Sequence, residues 1–170
     1  MGLKLGENDE GLHPIGSASN WNESRYIDFW DRRQRIGGWF RIGNRPNEGH
    51  GEVSACLYLP DGSIAFWFER AVITANTLSS GGQSWEIVEP WRRSRVRFQG
   101  EMMTLPDCWQ LKDPKRAFTT AARAPADIDL DVQTTGLDDV MGSDQDHIDR
   151  IFRLGDSEVH ALRDITLRIE

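Results

Sequence analysis

Between Glu52 and Val72 the chain spells out a hairpin, and that unit restricts everything around it. Val53, Ala55, Leu57 and Leu59 alternate with Ser54, Cys56 and Tyr58, the period of two that gives a strand one buried and one exposed face. Pro60-Asp61-Gly62 breaks the run, and Ser63–Val72 follows as a second aromatic and β-branched stretch. An Asp-Gly pair between two apolar runs favours the positive-φ geometry that folds one strand back on the next. A helix would need apolar residues three and four apart, and in the stretch that begins at Trp21 and runs through this hairpin that spacing is absent. The chain is therefore committed to antiparallel β-structure.

The flanking segments extend the pattern. Arg25–Trp30 and Ile36–Asn44 read as two earlier strands joined through Asp31–Arg35, and Arg45–Gly49 as the turn into the hairpin. After a Ser- and Gly-bearing loop at Thr77–Gly82, Trp85–Glu89 and Arg93–Phe98 read as strands interrupted by Pro90, with Arg93, Arg95 and Arg97 sharing one face. Asp127–Gln133 sets Asp against Ile128, Leu130 and Val132, so one face is acidic and the other buried. Between them, Trp109 sits in a loop framed by Pro106-Asp107 and Asp113-Pro114. Near the end, Ile148, Ile151 and Phe152 fit a short helix capped by Ser143 or Asp144 and stopped by Gly155, while a strand over the same residues and over Ile165, Leu167 and Ile169 competes with it. Three segments follow: an irregular lead-in at 1–19 that chemistry does not need, a β-domain at 20–133, and a loop and tail at 134–170 that can complete a barrel.

Composition excludes several classes of function. At 170 residues one core is expected. A net charge of −7 opposes a phosphate backbone, so nucleic acid is not an expected partner. No apolar run approaches the roughly 20 residues of a membrane-spanning helix, and the first residues lack the basic-then-apolar order of a secretory signal, which places the protein in the cytoplasm. Cys56 and Cys108 lie far apart in sequence with no CxxC, and His13, His50, His147 and His160 form no ligand spacing, so neither a disulfide framework nor a metal site is expected. No phosphate-binding glycine motif or other cofactor signature occurs.

Trp21-Asn22-Glu23-Ser24, Gly37-Gly38, Arg41-Ile42-Gly43, Arg45-Pro46-Asn47-Glu48-Gly49 and Leu57-Tyr58-Leu59-Pro60-Asp61-Gly62 resemble, in order, the first half of the lipocalin-like proteins related to carotenoid hydratase and AttH. Trp85–Pro90, Asp113-Pro114 and Ala117-Phe118 continue the resemblance, which spans most of residues 20–132. It implies an all-β, antiparallel lipocalin-like (calycin) barrel or half-barrel, here with a short C-terminal helix. Such proteins commonly carry two barrel-like halves, so a homodimer or a partner half-domain is implied as well. The superfamily includes hydratases, isomerases and cyclases of terpenoid-like substrates.

Glu23, Glu48 and Arg41 are the candidate catalytic residues. A carboxylic acid in a dry cavity can donate a proton to an alkene, with a guanidinium to orient it. The competing reading is a Glu-Arg ion pair at a barrel rim. Trp21, Trp39, Trp67, Trp85 and Tyr26 are candidate ligand-binding residues because large rings line apolar cavities as well as cores. Trp39 shares strand parity with Arg41, and Trp67 with Glu69; whether those faces point inward, or those of Phe40 and Ile42 and of Phe66 and Phe68 do, stays open. The function expected is binding of a hydrophobic terpenoid, steroid or fatty acyl molecule, with cofactor-free hydratase or isomerase activity. A non-catalytic lipocalin-like binding module is the alternative.

Overall fold

The turn that closes the first hairpin is made by one carboxylate. Asp31 Oδ1 accepts from the backbone N–H of Arg33 at 2.7 Å and of Gln34 at 3.2 Å, and Arg35 turns the corner at φ 55°. Strand β1 (Glu23–Asp31) thereby pairs antiparallel with β2 (Ile36–Arg45). Pro46–Glu48 forms a single 3₁₀ turn ended by Gly49 at φ 76°, and β3 (His50–Tyr58) returns along β2. At the Asp61-Gly62 turn, Asp61 Oδ1 accepts from Ser63 N–H at 2.9 Å, and β4 (Ile64–Val72) completes the second hairpin. The computed structural model describes residues 6–133 and 166–169.

Beyond β4 come the two-residue β5 (Ser79–Ser80), β6 (Gln83–Glu89), β7 (Arg93–Leu105), helix α1 (Pro114–Thr120), β8 (Ala122–Gln133) and β9 (Thr166–Ile169). The described strands form one antiparallel sheet, and β7 is its branch point. One edge of β7 pairs with β8 from Arg93↔Gln133 to Thr104↔Ala122. The other edge is divided between β6, opposite 93–98, and β4, opposite 103–105. Strand β1 ends the sheet on one side and β9, beside β8, on the other, so strand pairing does not close a barrel among the described residues. The described residues form an all-β, open half-barrel with one short helix.

Alternation decides what each face buries. Phe40, Ile42, Val53, Leu57, Val96, Phe98, Ile128 and Leu130 fill the inner face at 1% exposure or less. On the outer face Cys56, Ile64, Phe66, Met103 and Leu105 are covered where they meet Ala117 of α1, with the Phe118 ring edge-on to Phe66 at 5.3 Å. The open parity question therefore resolves differently on two strands. On β2 the Phe40 and Ile42 side faces inward, whereas on β4 Ala65 and Trp67 do, leaving Phe66 under the helix and Phe68 exposed.

Two elements differ from the sequence expectation. Strand β7 continues past Phe98 to Leu105, and the segment expected to be a loop supplies a 3₁₀ turn at Cys108–Lys112 followed by α1. Asp113-Pro114 reads locally as a turn, yet Asp113 caps α1 by accepting from Arg116 N–H at 3.2 Å, with Pro114 in the first helical turn, where its missing N–H is harmless. The expected helix at 143–155 lies outside the described residues. Thr166–Ile169 follows the strand reading. No helix among the described residues is long and apolar enough to cross a membrane.

The arginine face of β7 meets the aspartate face of β8. Arg93 Nε donates to Asp131 Oδ1 at 2.8 Å and Arg95 Nε to Asp129 Oδ1 at 2.6 Å, both as two-pronged pairs, and Arg97 stands 3.6 Å from Asp129. Hydrogen bonds from Arg95 and Arg93 hold the Asp129 and Asp131 carboxyls below the usual carboxylate range. A depressed folded-state pKa stabilises the fold above the unfolded value, near pH 4, and that contribution disappears as pH falls through the folded value. Asp129→Asn and Asp131→Asn should each cost about 0.5–1 kcal/mol at neutral pH, because the pairs are solvated. In urea unfolding the double variant should lose less stability than the parent between neutral pH and about pH 3. Equal losses would show that the ladder adds nothing.

Candidate functional site

The lead-in does not trail away from the sheet. It runs along the unpaired edge of β1 and spans to the β6–β7 turn, where Trp91 sits at φ 62°. Glu10 makes the tie: its carboxylate lies 3.5 Å from Arg25 Nη1 and accepts from Trp91 N–H, while Trp91 Nε1 donates to Gly6 O at 3.3 Å. Farther along, Asn47 Nδ2 donates to Gly16 O at 2.8 Å and to Ala18 O at 2.7 Å. A cleft of about 530 Å³ lies between lead-in and sheet. Leu12, Ile42, Leu78 and Trp91 contribute its apolar wall, and Asp9, Glu10, His13, Glu23, Arg25 and Asn44 its polar one.

Glu23 is the centre of the polar wall. As the first residue of β1 it points to the inner side with Arg25, and its side chain is 19% exposed. His13 Nδ1 lies 2.6 Å from Glu23 Oε1, and the His13 backbone N–H donates to the same carboxylate at 3.2 Å. Asn76 Nδ2 donates to Glu23 Oε2 at 2.6 Å and to His13 O at 2.7 Å, which locks carboxylate and lead-in together. Since Nδ1–H donates to the carboxylate, neutral His13 keeps its lone pair on Nε2. Its side chain is 53% exposed. A carboxylate that fixes the tautomer and stabilises the imidazolium is the arrangement general-base catalysis needs.

Asn44, the cross-strand partner of Glu23, is 2% exposed. Its Nδ2 donates to Thr77 O at 3.0 Å, while its Oδ1 has no partner among the described residues. A buried acceptor left unpaired costs about 1–3 kcal/mol. The Oδ1 of Asn76 is likewise unpartnered.

The other candidate residues lie elsewhere. Arg41 is on the outer face, where Nη2 donates to Ser24 Oγ at 3.0 Å and Nη1 reaches Glu52 at 3.5 Å; Glu23 is oriented by His13 and Asn76 instead. Burial pushes the Glu52 carboxyl up, but Arg41, Arg45 and Arg70 outweigh it and hold that group below its usual range. Glu48 pairs with Arg45 at 2.8 Å in the 3₁₀ turn. Of the rings, Trp67 and Trp85 belong to the inner core, with Trp67 6.4 Å from Phe98 and Trp85 Nε1 donating to Gln83 Oε1. Tyr26 stacks on Trp39 at 6.2 Å across the outer face, although it also reaches the rim of the cleft. Trp21 covers Gly16 within the lead-in. The five rings do not converge on one hollow. A second cleft of about 420 Å³ lies between Ser79–Ser84 and Arg97, Gln99 and Asp127, with no unpartnered buried side chain among the described residues.

Fold and cleft together define an all-β protein whose described strands form one open antiparallel sheet, with the Glu23–His13 pair held between its edge strand and its N-terminal segment. A family model described as a domain of unknown function (DUF7064) matches residues 6–152, and the chain belongs to that family. No curated protein and no solved structure matches the chain.

Proposed function

We propose that the protein binds a small molecule with an apolar body in the cleft beneath the lead-in and moves a proton on it without a cofactor, as an isomerase or hydratase does. The observation that carries this reading is the Glu23–His13 pair, braced by Asn76, beside the apolar wall of Ile42 and Leu78. His13 Nε2 takes the proton and Glu23 is its positioning residue. The inner face is the weaker candidate, because Phe40, Val53, Val96, Phe98, Ile128 and Leu130 pack together there as one core. The motif resemblance to carotenoid hydratase and AttH supports the same chemistry. The proposal extends to a cytoplasmic protein that pairs with a second copy or a partner half, as the motif resemblance implies.

The neutral dye Nile red tests the cleft. It should bind with one-to-one stoichiometry, and Leu78→Trp, which fills the space between lead-in and sheet, should weaken binding about tenfold or more. Glu23→Gln should leave dye affinity within about twofold, because the carboxylate faces His13 rather than the apolar wall. Undiminished binding in Leu78→Trp would place the ligand elsewhere.

A further inference from the structure

If the cleft is the ligand site, its unpaired groups specify what the ligand must bring. Asn44 Nδ2 is committed to Thr77 O at 3.0 Å, which fixes the amide and leaves Oδ1 as its free end. That unsatisfied buried atom is an acceptor. Neutral His13, with Nδ1–H turned to Glu23, adds a second acceptor at Nε2. Charge points the same way. Asp9, Glu10 and Glu23 face a single guanidinium, Arg25, which is itself turned to Glu10. Two negative charges are left uncompensated while His13 is neutral. Trp91 in the same wall brings an indole, the ring that attracts organic cations most strongly.

We infer that the ligand is an amphiphilic amine, bound as its ammonium, with an N–H donated to Asn44 Oδ1 and its apolar body against Ile42 and Leu78. This rests on the cleft reading above and adds the chemical class. A neutral alcohol brings one donor and no charge. A carboxylate brings neither and meets the carboxylates. A quaternary ammonium brings charge without a donor, which leaves Asn44 Oδ1 unpaired.

Calorimetric titration below micellar concentration with dodecylammonium, dodecyltrimethylammonium, dodecanol and dodecanoate separates these cases. Dodecylammonium should bind about tenfold or more tightly than each of the others, as sites built around a specific hydrogen bond discriminate. Asn44→Leu should erase its advantage over dodecyltrimethylammonium. Because Asn44 is buried, the exposed Asp9→Asn provides a second arm that leaves the fold untouched: it should weaken both cations a few-fold and leave dodecanol unchanged. Dodecanol or dodecanoate binding as tightly as dodecylammonium would overturn the amine assignment and leave the cleft standing, and so would cation affinities indifferent to both substitutions. Failure of the whole series to bind or to displace Nile red would overturn the amine assignment and count against the cleft as well.

Discussion

His13→Gln is expected to slow proton abstraction from a base-sensitive reporter such as 5-nitrobenzisoxazole by roughly 10²- to 10⁴-fold, the range a positioned general base contributes. The reporter suits the site because it is flat, apolar and loses one proton from carbon, so turnover needs only a base beside an apolar wall. The loss should fall on kcat, with KM little changed, because His13 acts on the reacting proton and the reporter's body rests on Ile42 and Leu78. Glu23→Gln should lose a comparable factor by a different route. An amide can present its N–H to His13 Nδ1 and so reverse the tautomer, turning the lone pair away from the substrate. Nitrogen-15 shifts of the His13 ring should therefore report an Nδ1–H tautomer in the parent and a shifted or mixed one in Glu23→Gln. Neither substitution should unfold the protein, since His13 is half-exposed and a pair that reaches solvent contributes only about 0–1 kcal/mol. A parent rate no greater than that of His13→Gln, at equal thermal stability, would remove His13 from the mechanism.

The parts of this molecule that are legible in its sequence are those specified by near neighbours. The β3–β4 hairpin is written by alternation plus an Asp-Gly turn, and both lie within one stretch of chain. The acidic face of β8 is legible because Ile128 and Leu130 are buried while Asp129 and Asp131 pair with arginines on the outer side. Alternation stops being informative where both faces are covered. On β3, Val53, Ser54, Ala55, Cys56 and Leu57 are all buried, because α1 adds a second core behind the first. For that reason the parity of Trp39 and Trp67 could not be chosen in advance.

The site was legible only in part, for a related reason. Glu23 stands out as a carboxylate among aromatic residues, but its partners His13 and Asn76 are 10 and 53 positions away. No periodicity marks His13, which sits in a lead-in with no strand or helix of its own at that point. What fixes that segment is a few hydrogen bonds between residues distant in sequence: Glu10 accepts from Trp91 N–H, Asn47 donates to Gly16 O and Ala18 O, and Asn76 donates to His13 O. Arg41 illustrates the converse. It lies next in space to Ser24, one residue from Glu23, yet strand parity puts it on the other side of the sheet.

Phe98→Ala should cost about 3–5 kcal/mol, toward the upper end of that range. The ring is 1% exposed in the inner core, and the surroundings that would have to collapse around its loss are unusually stiff. A Cβ placed on Gly82 would stand 3.4 Å from the Phe98 ring and one on Gly100 would stand 3.3 Å from it, so two backbones without side chains form part of the wall. Backbone held in a ladder moves less than a side chain, and Gly82, at φ 76°, is already fixed by the turn into β6. Trp67, at 6.4 Å, is a large neighbouring ring that can tilt into part of the space. The expected fall in melting temperature is on the order of 10 °C. The hole left behind is apolar and should stay dry, so it should take up xenon or benzene, and saturating benzene should restore part of the lost stability. This outcome bears on function as well as on stability. In a sheet whose concave side had evolved to hold a guest, removing one ring would enlarge an existing hollow at modest cost. A measured loss below about 1.5 kcal/mol would therefore mean that the inner face is not a filled core, and would return it to contention as the ligand compartment in place of the cleft beside Glu23.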